Sequence, residues 1–328
     1  MRLVPARFHP RGEALADGTP PSTRAVRVFG GIPGEAAEVR ILGRGGHEDY
    51  AEWVRAERPS ASRVAPSCRH FRTCGGCPWM HLDPGAARRW RRQRVVDALV
   101  EAGVLADVDP VVPCPDGDLG YRHLAKLVAA PERDGVRLGV YGRHSHEVVG
   151  IGGCSVLHPA LRTWTGMRFA VGADVLRHVV VRRSRSNGRV LATLVARRDD
   201  PALRRVAATL PADGVHLHFN DRPGDAIFGP GPTARLGGID TLEEVVEGVT
   251  LAVGPTDFFQ TNPSTAARLW ADLPRPDRTL LDLFCGVGAA SLVVGRGARV
   301  HGVEFAEGAV ARARANAARN RVDATFSA

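Results

Sequence analysis

The stretch Leu280-Leu-Asp-Leu-Phe-Cys-Gly-Val-Gly288, followed by Val303-Glu304, decides the fold. Its apolar run Leu280–Phe284 reads as a buried parallel strand, and Gly286 and Gly288 permit a tight turn with close ligand approach. An acid 22 residues after Asp282 falls at the end of the next strand, where it can accept both hydroxyls of a ribose. Two glycines in place of three make a weak dinucleotide fingerprint. Asp282 would repel a pyrophosphate and better suits the amino-acid part of S-adenosylmethionine. Cys285 reads as a small packed side chain and not as a nucleophile.

Around this stretch the pattern alternates. Asn262-Pro263 caps a helix running to Leu273, with Ala266, Leu269, Trp270 and Leu273 at helical spacing. A strand, a glycine turn and helix, a strand over Arg299–Phe305, a helix over Glu307–Asn320 and a short run Ala324–Ser327 follow. This is the start of a doubly wound parallel sheet, which normally has five or more strands. The expectation is therefore a Rossmann-like domain truncated after its second or third strand. Ahead of it lies Asp257-Phe-Phe-Gln-Thr-Asn262, whose paired aromatics suit either a core or a ligand.

Upstream, Tyr121 to about Val253 is β-rich. Leu124–Ala130, Val136–Tyr141, Glu147–Ile151, Val179–Arg183, Val190–Ala196 and Val215–Phe219 are strand-like runs between turn residues. Near the N-terminus, Val26–Phe29, Ala37–Leu42 and Tyr50–Val54 suggest a small β-unit. It can be an OB-type barrel, of a kind that often holds RNA, or an unspecialised hairpin cap. A helix follows the Cys68–Cys77 segment: Asp83 caps it, Pro84 opens it and Gly103 lies past its end. Trp90, Val95, Ala98 and Leu99 are its candidate buried side, while Arg88, Arg89, Arg91, Arg92 and Arg94 crowd the rest as a solvated or phosphate-facing surface.

Cys68, Cys74 and Cys77 crowd into ten residues, and Cys154 follows in Gly152-Gly-Cys154. Four thiolates brought together satisfy an iron–sulfur cluster or tetrahedral zinc. Cys114, between prolines, reads as an incidental thiol. Across 328 residues the formal charge is +9, almost all of the basic charge being arginine, with Lys126 the sole lysine. Arginine forks suit a polyanionic partner, and a coding bias explains them equally well. No run is long and apolar enough to span a bilayer, and no signal peptide opens the chain, so a soluble cytoplasmic protein is expected.

Together these stretches resemble the RNA 5-methyluridine (uracil-5) methyltransferases, most closely their iron–sulfur-containing ribosomal RNA branch. The matching residues are Cys68-x5-Cys74-Gly-Gly-Cys77, Tyr121-Arg-His-Leu-Ala-Lys126, Leu138-Gly-Val-Tyr141, Ser145-His-Glu147, Gly153-Cys154 with His158-Pro159, Phe258-Phe-Gln-Thr-Asn262 and Asp282–Gly288. The resemblance implies a TRAM-type OB-like barrel over 1–60 and a β-rich iron–sulfur and RNA-recognition domain over 61–254. The N-terminal part of a class I methyltransferase domain would occupy 255–328, with the helix over 84–102 packing against it. Cys68, Cys74, Cys77 and Cys154 would ligate a 4Fe-4S cluster. Gln260, Phe284 and Glu304, with Asp282, Gly286 and Gly288, would contact S-adenosylmethionine. Arg122, Lys126 and Phe258 would contact RNA, Phe258 in stacking range of a flipped uridine. Ala289 stands where some relatives carry an asparagine near the cofactor.

The resemblance also implies a thiolate nucleophile and a general base beyond residue 328. The expected function is thus uracil-C5 methylation of RNA, with 23S ribosomal RNA foremost and transfer RNA second, by a monomeric enzyme. The 328 residues alone would be inactive. The competing expectation is a non-catalytic iron–sulfur or zinc RNA-binding protein derived from such an enzyme.

Overall fold

Short apolar runs broken by turn residues build the first sheet of the computed structural model, which describes residues 1–18 and 24–328. Its strands are β1 (Arg2–Leu3), β2 (Arg7–Phe8), β3 (Ala14–Ala16), β4 (Val26–Phe29), β5 (Ala37–Arg44) and β6 (Asp49–Ala56). They pair in the order β1-β5-β6-β4-β3-β2, antiparallel except for the parallel β4–β6 pair. Residues 19–23 of the expected 1–60 barrel lie outside the described residues, and the described ladders run as a path from β1 to β2. The first three strands are two or three residues long, too short for an alternation signal. Leu3, Val28, Ile32, Val39, Trp79 and Leu82 form the core. Two buried ion pairs, Arg27–Glu13 at 2.7 Å and Arg63–Glu35, lie beside it.

These strands belong to one of two compact units, formed by Met1–Pro113 with Tyr141–Glu147. The same unit holds the expected helix, α1 (Pro84–Glu101), capped by Asp83 Oδ1 accepting from the Ala86 amide at 2.9 Å. The expected buried side is corrected in part: Ala86 and Ala87 are buried and Trp90 is half-buried, whereas Val95 and Ala98 are exposed. Only the first turns of α1 lie on the β-core.

The second unit comprises Cys114–Val140 with Val148–Ala328. Its central sheet contains β7 (Leu124–Glu132), β8 (Gly135–Tyr141), β9 (Val148–Val149), β10 (Arg168–Phe169), β11 (Leu176–Arg183), β12 (Val190–Ala196), β13 (Gly214–Phe219) and β14 (Thr233–Gly238). The order is β10-β8-β7-β11-β12-β13-β14, with β9 on β8. Helix α2 (Pro201–Thr209) makes the crossover between the parallel β12 and β13, and Trp164 and Leu161 lie at the centre of the core. The β-rich reading missed α2, although Asp200-Pro201 carries its cap.

A hairpin of β15 (Leu242–Val246) and β16 (Val249–Val253) leads to α3 (Pro263–Asp272). Then come β17 (Thr279–Leu283), α4 (Ala289–Val294), β18 (Arg299–Val303), α5 (Glu307–Asn320) and β19 (Ala324–Ser327), with the three strands parallel in sequence order. On α3, Ala266 and Trp270 are buried as expected, but Leu269 and Leu273 are exposed. The reading of Leu280–Phe284 as a fully buried strand is corrected too. Leu281 and Leu283 are 62% and 60% exposed, because the core is built on one face of the sheet from α4, α5 and β16. Among the described residues no helix is long and apolar enough to cross a membrane.

Buried His81 is an acid-sensitive point of the first unit. Its Nε2 meets the Gly31 carbonyl at 3.0 Å, its Nδ1 has no partner among the described residues, and burial lowers its pKa to about 4. The unfolded chain takes up the proton first, so stability present above pH 6.5 is lost as pH falls from 6.5 toward 4. His81→Gln should flatten that dependence by about 2–3 kcal/mol, read as the change in urea-unfolding free energy between pH 7 and pH 4. An unaltered pH dependence would refute the assignment.

Candidate functional site

The C-terminal ends of β17 and β18 bring Asp282, Phe284, Gly286, Gly288 and Glu304 of the expected cofactor residues together, while Gln260 lies on the segment before α3. Phe284 leaves β17 with φ +63°, an uncommon conformation for a non-glycine residue, and its ring is 86% exposed. Gly286 follows with φ +57°, and a Cβ there would meet nothing within 4 Å. Its amide donates to Glu304 Oε2 at 3.0 Å, and the Ala306 amide donates to Oε1 at 3.0 Å. The carboxylate at the end of β18 is thereby fixed against the glycine turn, with lone pairs left for a further donor.

Gly288 has a different task. With φ +81°, it is packed so closely that a Cβ would lie 3.3 Å from both Ala313 of α5 and the Phe326 ring. Gly286 keeps space open, whereas Gly288 lets helix and sheet approach. Asp282, half-buried, accepts a hydrogen bond from the Ser291 hydroxyl of α4. Cys285 is buried, and burial, reinforced by Asp282 and Glu304, pushes its thiol up to about 11. A thiol so protonated is a poor nucleophile, in keeping with the packing role expected of it.

The motif Asp257–Asn262 splits by alternation. Asp257 and Phe259 are buried, while Phe258 and Gln260 are exposed, Phe258 at 68%. Phe259 packs edge-on to Trp270 with centroids 6.3 Å apart. Asp257 accepts from the Gly254 amide at 2.6 Å and pairs with Arg312 of α5, and its carbonyl accepts from buried Arg182 of β11 at 2.6 Å. One aromatic of the pair therefore serves the core and the other faces solvent.

The expected RNA contacts lie on the preceding segment. Lys126 is exposed on β7, and half-buried Arg122 forms a bridge with Leu157 just before that strand. Between them His123, buried, donates its amide to the Thr261 carbonyl at 2.9 Å and accepts at its own carbonyl from the Arg183 amide. Its ring lies 5.0 Å from that of His158 and its Nδ1 has no partner among the described residues. Burial, with His158 and Arg183 adding to it, lowers its pKa to about 4, so the ring is neutral at pH 7. Nearby, the Asn262 amide donates to Cys114 Sγ at 3.2 Å and Ser264 donates to Asp116. The sequence reading missed the His123–His158 pair and Phe305. Phe305, directly after Glu304, is 94% exposed. A histidine just ahead of a strand and an aromatic after the acid were the available signals.

The cysteine segment is held by the hairpin end at 141–147. Cys74 bridges to Gly142, and Arg143 Nη2 donates to the carbonyls of Phe71 (3.2 Å) and Cys74 (3.1 Å). The Gly76 amide points at Cys74 Sγ at 3.4 Å. Cys68, Cys74 and Cys77 are half-buried in the first unit; Cys154, also half-buried, belongs to the second. Thiolates suit an iron–sulfur or zinc centre chemically, but among the described residues no three His, Cys, Asp or Glu side chains gather as a metal site.

No family model matches the chain. Individual relatives do. The 23S rRNA (uracil(1939)-C(5))-methyltransferase RlmD of Azoarcus sp. is 34% identical over 331 residues, covering 95% of this chain and 74% of that protein. The RlmD proteins of Halomonas elongata and Ralstonia nicotianae are 34% and 32% identical, the alignments covering 65% and 70% of their lengths and 92% and 94% of this chain. Among solved structures, the Pyrococcus abyssi tRNA (uracil-54, C5)-methyltransferase in complex with S-adenosyl-L-homocysteine has a similar fold, with TM-score 0.73 and 23% identity over 100% of this chain and 79% of that one. The chain belongs to the family of RNA uracil-C5 methyltransferases.

Proposed function

We propose that this protein methylates C5 of a uridine in RNA, most specifically in 23S ribosomal RNA, with S-adenosylmethionine as donor. The observation that carries the reading is the Glu304 carboxylate anchored by the Gly286 and Ala306 amides at the open turn after β17. Glu304 would accept from the ribose hydroxyls of the donor, and the exposed rings of Phe284 and Phe305 would flank its adenine. Asp282 and Gln260 would meet its amino-acid end. When bound, the cofactor supplies an electrophilic methyl group.

The target uridine would stack on Phe258, whose aromatic ring beside buried Phe259 is left to solvent and unused by the core. Arg122 and Lys126 would hold flanking phosphates. Neutral His123 and His158 would offer hydrogen-bonding groups without adding charge beside the base. The attacking thiolate is not assigned to Cys285, whose environment keeps it protonated. The relatives named for 23S ribosomal RNA support that substrate over transfer RNA. The three-part division at 60 and 254, with an OB-like first part, remains part of the proposal.

We also propose that Cys68, Cys74, Cys77 and Cys154 take up a 4Fe-4S cluster. Their soft donor set and the Gly76 amide directed at the Cys74 sulfur support it.

Calorimetric titration with S-adenosylhomocysteine tests the cofactor site. Glu304→Ala should weaken binding about 10–100-fold, the worth of hydrogen bonds to a charged group. Phe305→Ala should weaken it about 2–10-fold, and Cys285→Ala by less than about twofold. Wild-type protein that binds none, or Glu304→Ala that binds as wild type, would sink the assignment. For the cluster, anaerobically purified protein should hold iron and sulfide in comparable amounts and absorb broadly near ~400 nm, and Cys74→Ala should lose both. Stoichiometric zinc without iron would replace it with a zinc site.

A further inference from the structure

The far end of the central sheet carries a second, separate feature. The 13 residues 220–232 join β13 to β14 without regular structure. Loops of that length inside a compact unit are uncommon and usually functional. This one is pinned throughout. Asn220, buried, donates to the carbonyls of Ala226 and Ile227 at 2.9 Å and accepts from the Arg222 amide at 3.2 Å. The Gly229 amide donates to His218 Nε2 at 3.1 Å. Gly231 passes so close to strand β13 that a Cβ would fall 2.0 Å from the Phe219 carbonyl oxygen. Arg177 reaches over from β11, at the point where the β11–β12 register shifts, and donates to the carbonyls of Arg222 (2.8 Å) and Gly224.

Beside this framework lies an open surface groove of about 350 Å³ whose lining includes Arg197, Phe219, Arg222, Pro230 and Pro232, with one carboxylate, Asp221. Among the described residues neither the Arg197 nor the Arg222 guanidinium is ion-paired with a carboxylate, unlike Arg198 beside them, which pairs with Asp174 and Asp200. Two unpaired forks beside one phenyl and two pyrrolidine rings match a phosphodiester: the forks meet phosphate oxygens and the rings flank a ribose.

The position fits as well. Strand β11 starts at this end with Leu176 and ends at Arg183, whose amide meets His123, which in turn meets Thr261. Seven residue steps of strand put the groove about 20 Å from the Phe258 segment. We propose that the Arg197–Arg222 groove is a distal RNA site, gripping the backbone of the substrate several nucleotides from the uridine at Phe258. The proposal rests on the RNA methyltransferase reading.

The test uses the full chain and fluorescein-labelled oligouridylates of about 3 and about 24 nucleotides, below and above the roughly 4–16 nucleotide span of a single-strand site. Anisotropy gives affinity, and S-adenosylhomocysteine titration controls for the cofactor site. Charge reversal by Arg197→Glu with Arg222→Glu should weaken the long oligonucleotide about tenfold or more. It should lower the log–log salt slope by about 1.4, two phosphates at about 0.7 each, and leave the short oligonucleotide within about twofold. Arg197→Gln with Arg222→Gln should do the same to a smaller degree with unaltered thermal unfolding. Equal loss on both lengths, or no loss on the long one, overturns the groove assignment while leaving the wider reading intact. Wild-type protein that binds neither length at low salt overturns RNA recognition itself. Competition by inorganic phosphate or uridine monophosphate as strong as that by the long oligonucleotide would identify a free-anion site instead.

Discussion

The second unit is organised around one buried carboxylate. Asp257 holds the Gly254 amide and the Arg312 guanidinium of α5 with its side chain, while its carbonyl receives Arg182 of β11. An ion pair in that setting gains little net stability over an apolar replacement, because desolvation offsets most of the attraction. Its effect is positional. Breaking it by removing one partner leaves a buried charge, so the segment 254–262 is fixed to the central sheet and to the α/β sheet together. The exposure of Phe258 and Gln260 follows from that, since anchoring Asp257 and burying Phe259 turns the alternate residues outward.

The turn at the ends of β17 and β18 carries costs that packing does not recover. Phe284 sits at positive φ, a conformation costing on the order of 1–3 kcal/mol, and exposes its ring together with that of Phe305. Gly286 leaves open space where a side chain would fit, whereas a Cβ at Gly302 would collide with Phe326 and one at Gly288 would crowd Ala313 and Phe326. Strain, exposed aromatics and an open glycine at one strand end are the combination a ligand would relieve. The same three features spread over the surface would have no such meaning.

The arginine excess divides between two uses. Arg27, Arg63, Arg182 and Arg312 are engaged in internal ion pairs or hydrogen bonds, and Arg143 and Arg177 tie loops through backbone carbonyls. Planar five-donor forks do this work because their donors are pre-organised, so less side-chain entropy is lost per hydrogen bond than with lysine. The count of arginines therefore overstates how many guanidiniums are free to meet a polyanion. The forks at Arg197 and Arg222, which have no carboxylate partner among the described residues, are distinguished by position and not by residue type.

Sequence determined the elements whose signals are local. The cap of α1 by Asp83, the Asn262 cap of α3, the βαβαβ alternation after Thr279 and the acid at the end of β18 were legible because capping and periodicity act within a few residues. So was the family, from the order of its motifs. Tertiary structure alone decided which of two adjacent phenylalanines enters the core, which face of β17 stays bare and which arginines are spent internally. It also decided that His123, and not only Arg122, stands at the Thr261 segment. These outcomes depend on contacts between residues far apart in the chain, Asp257 with Arg312 or Arg177 with Gly224, and no pattern within a single stretch encodes them. The cysteines mark the boundary between the two kinds of knowledge: their spacing names a soft-metal donor set, but only folding can bring four thiolates within bonding distance of one centre.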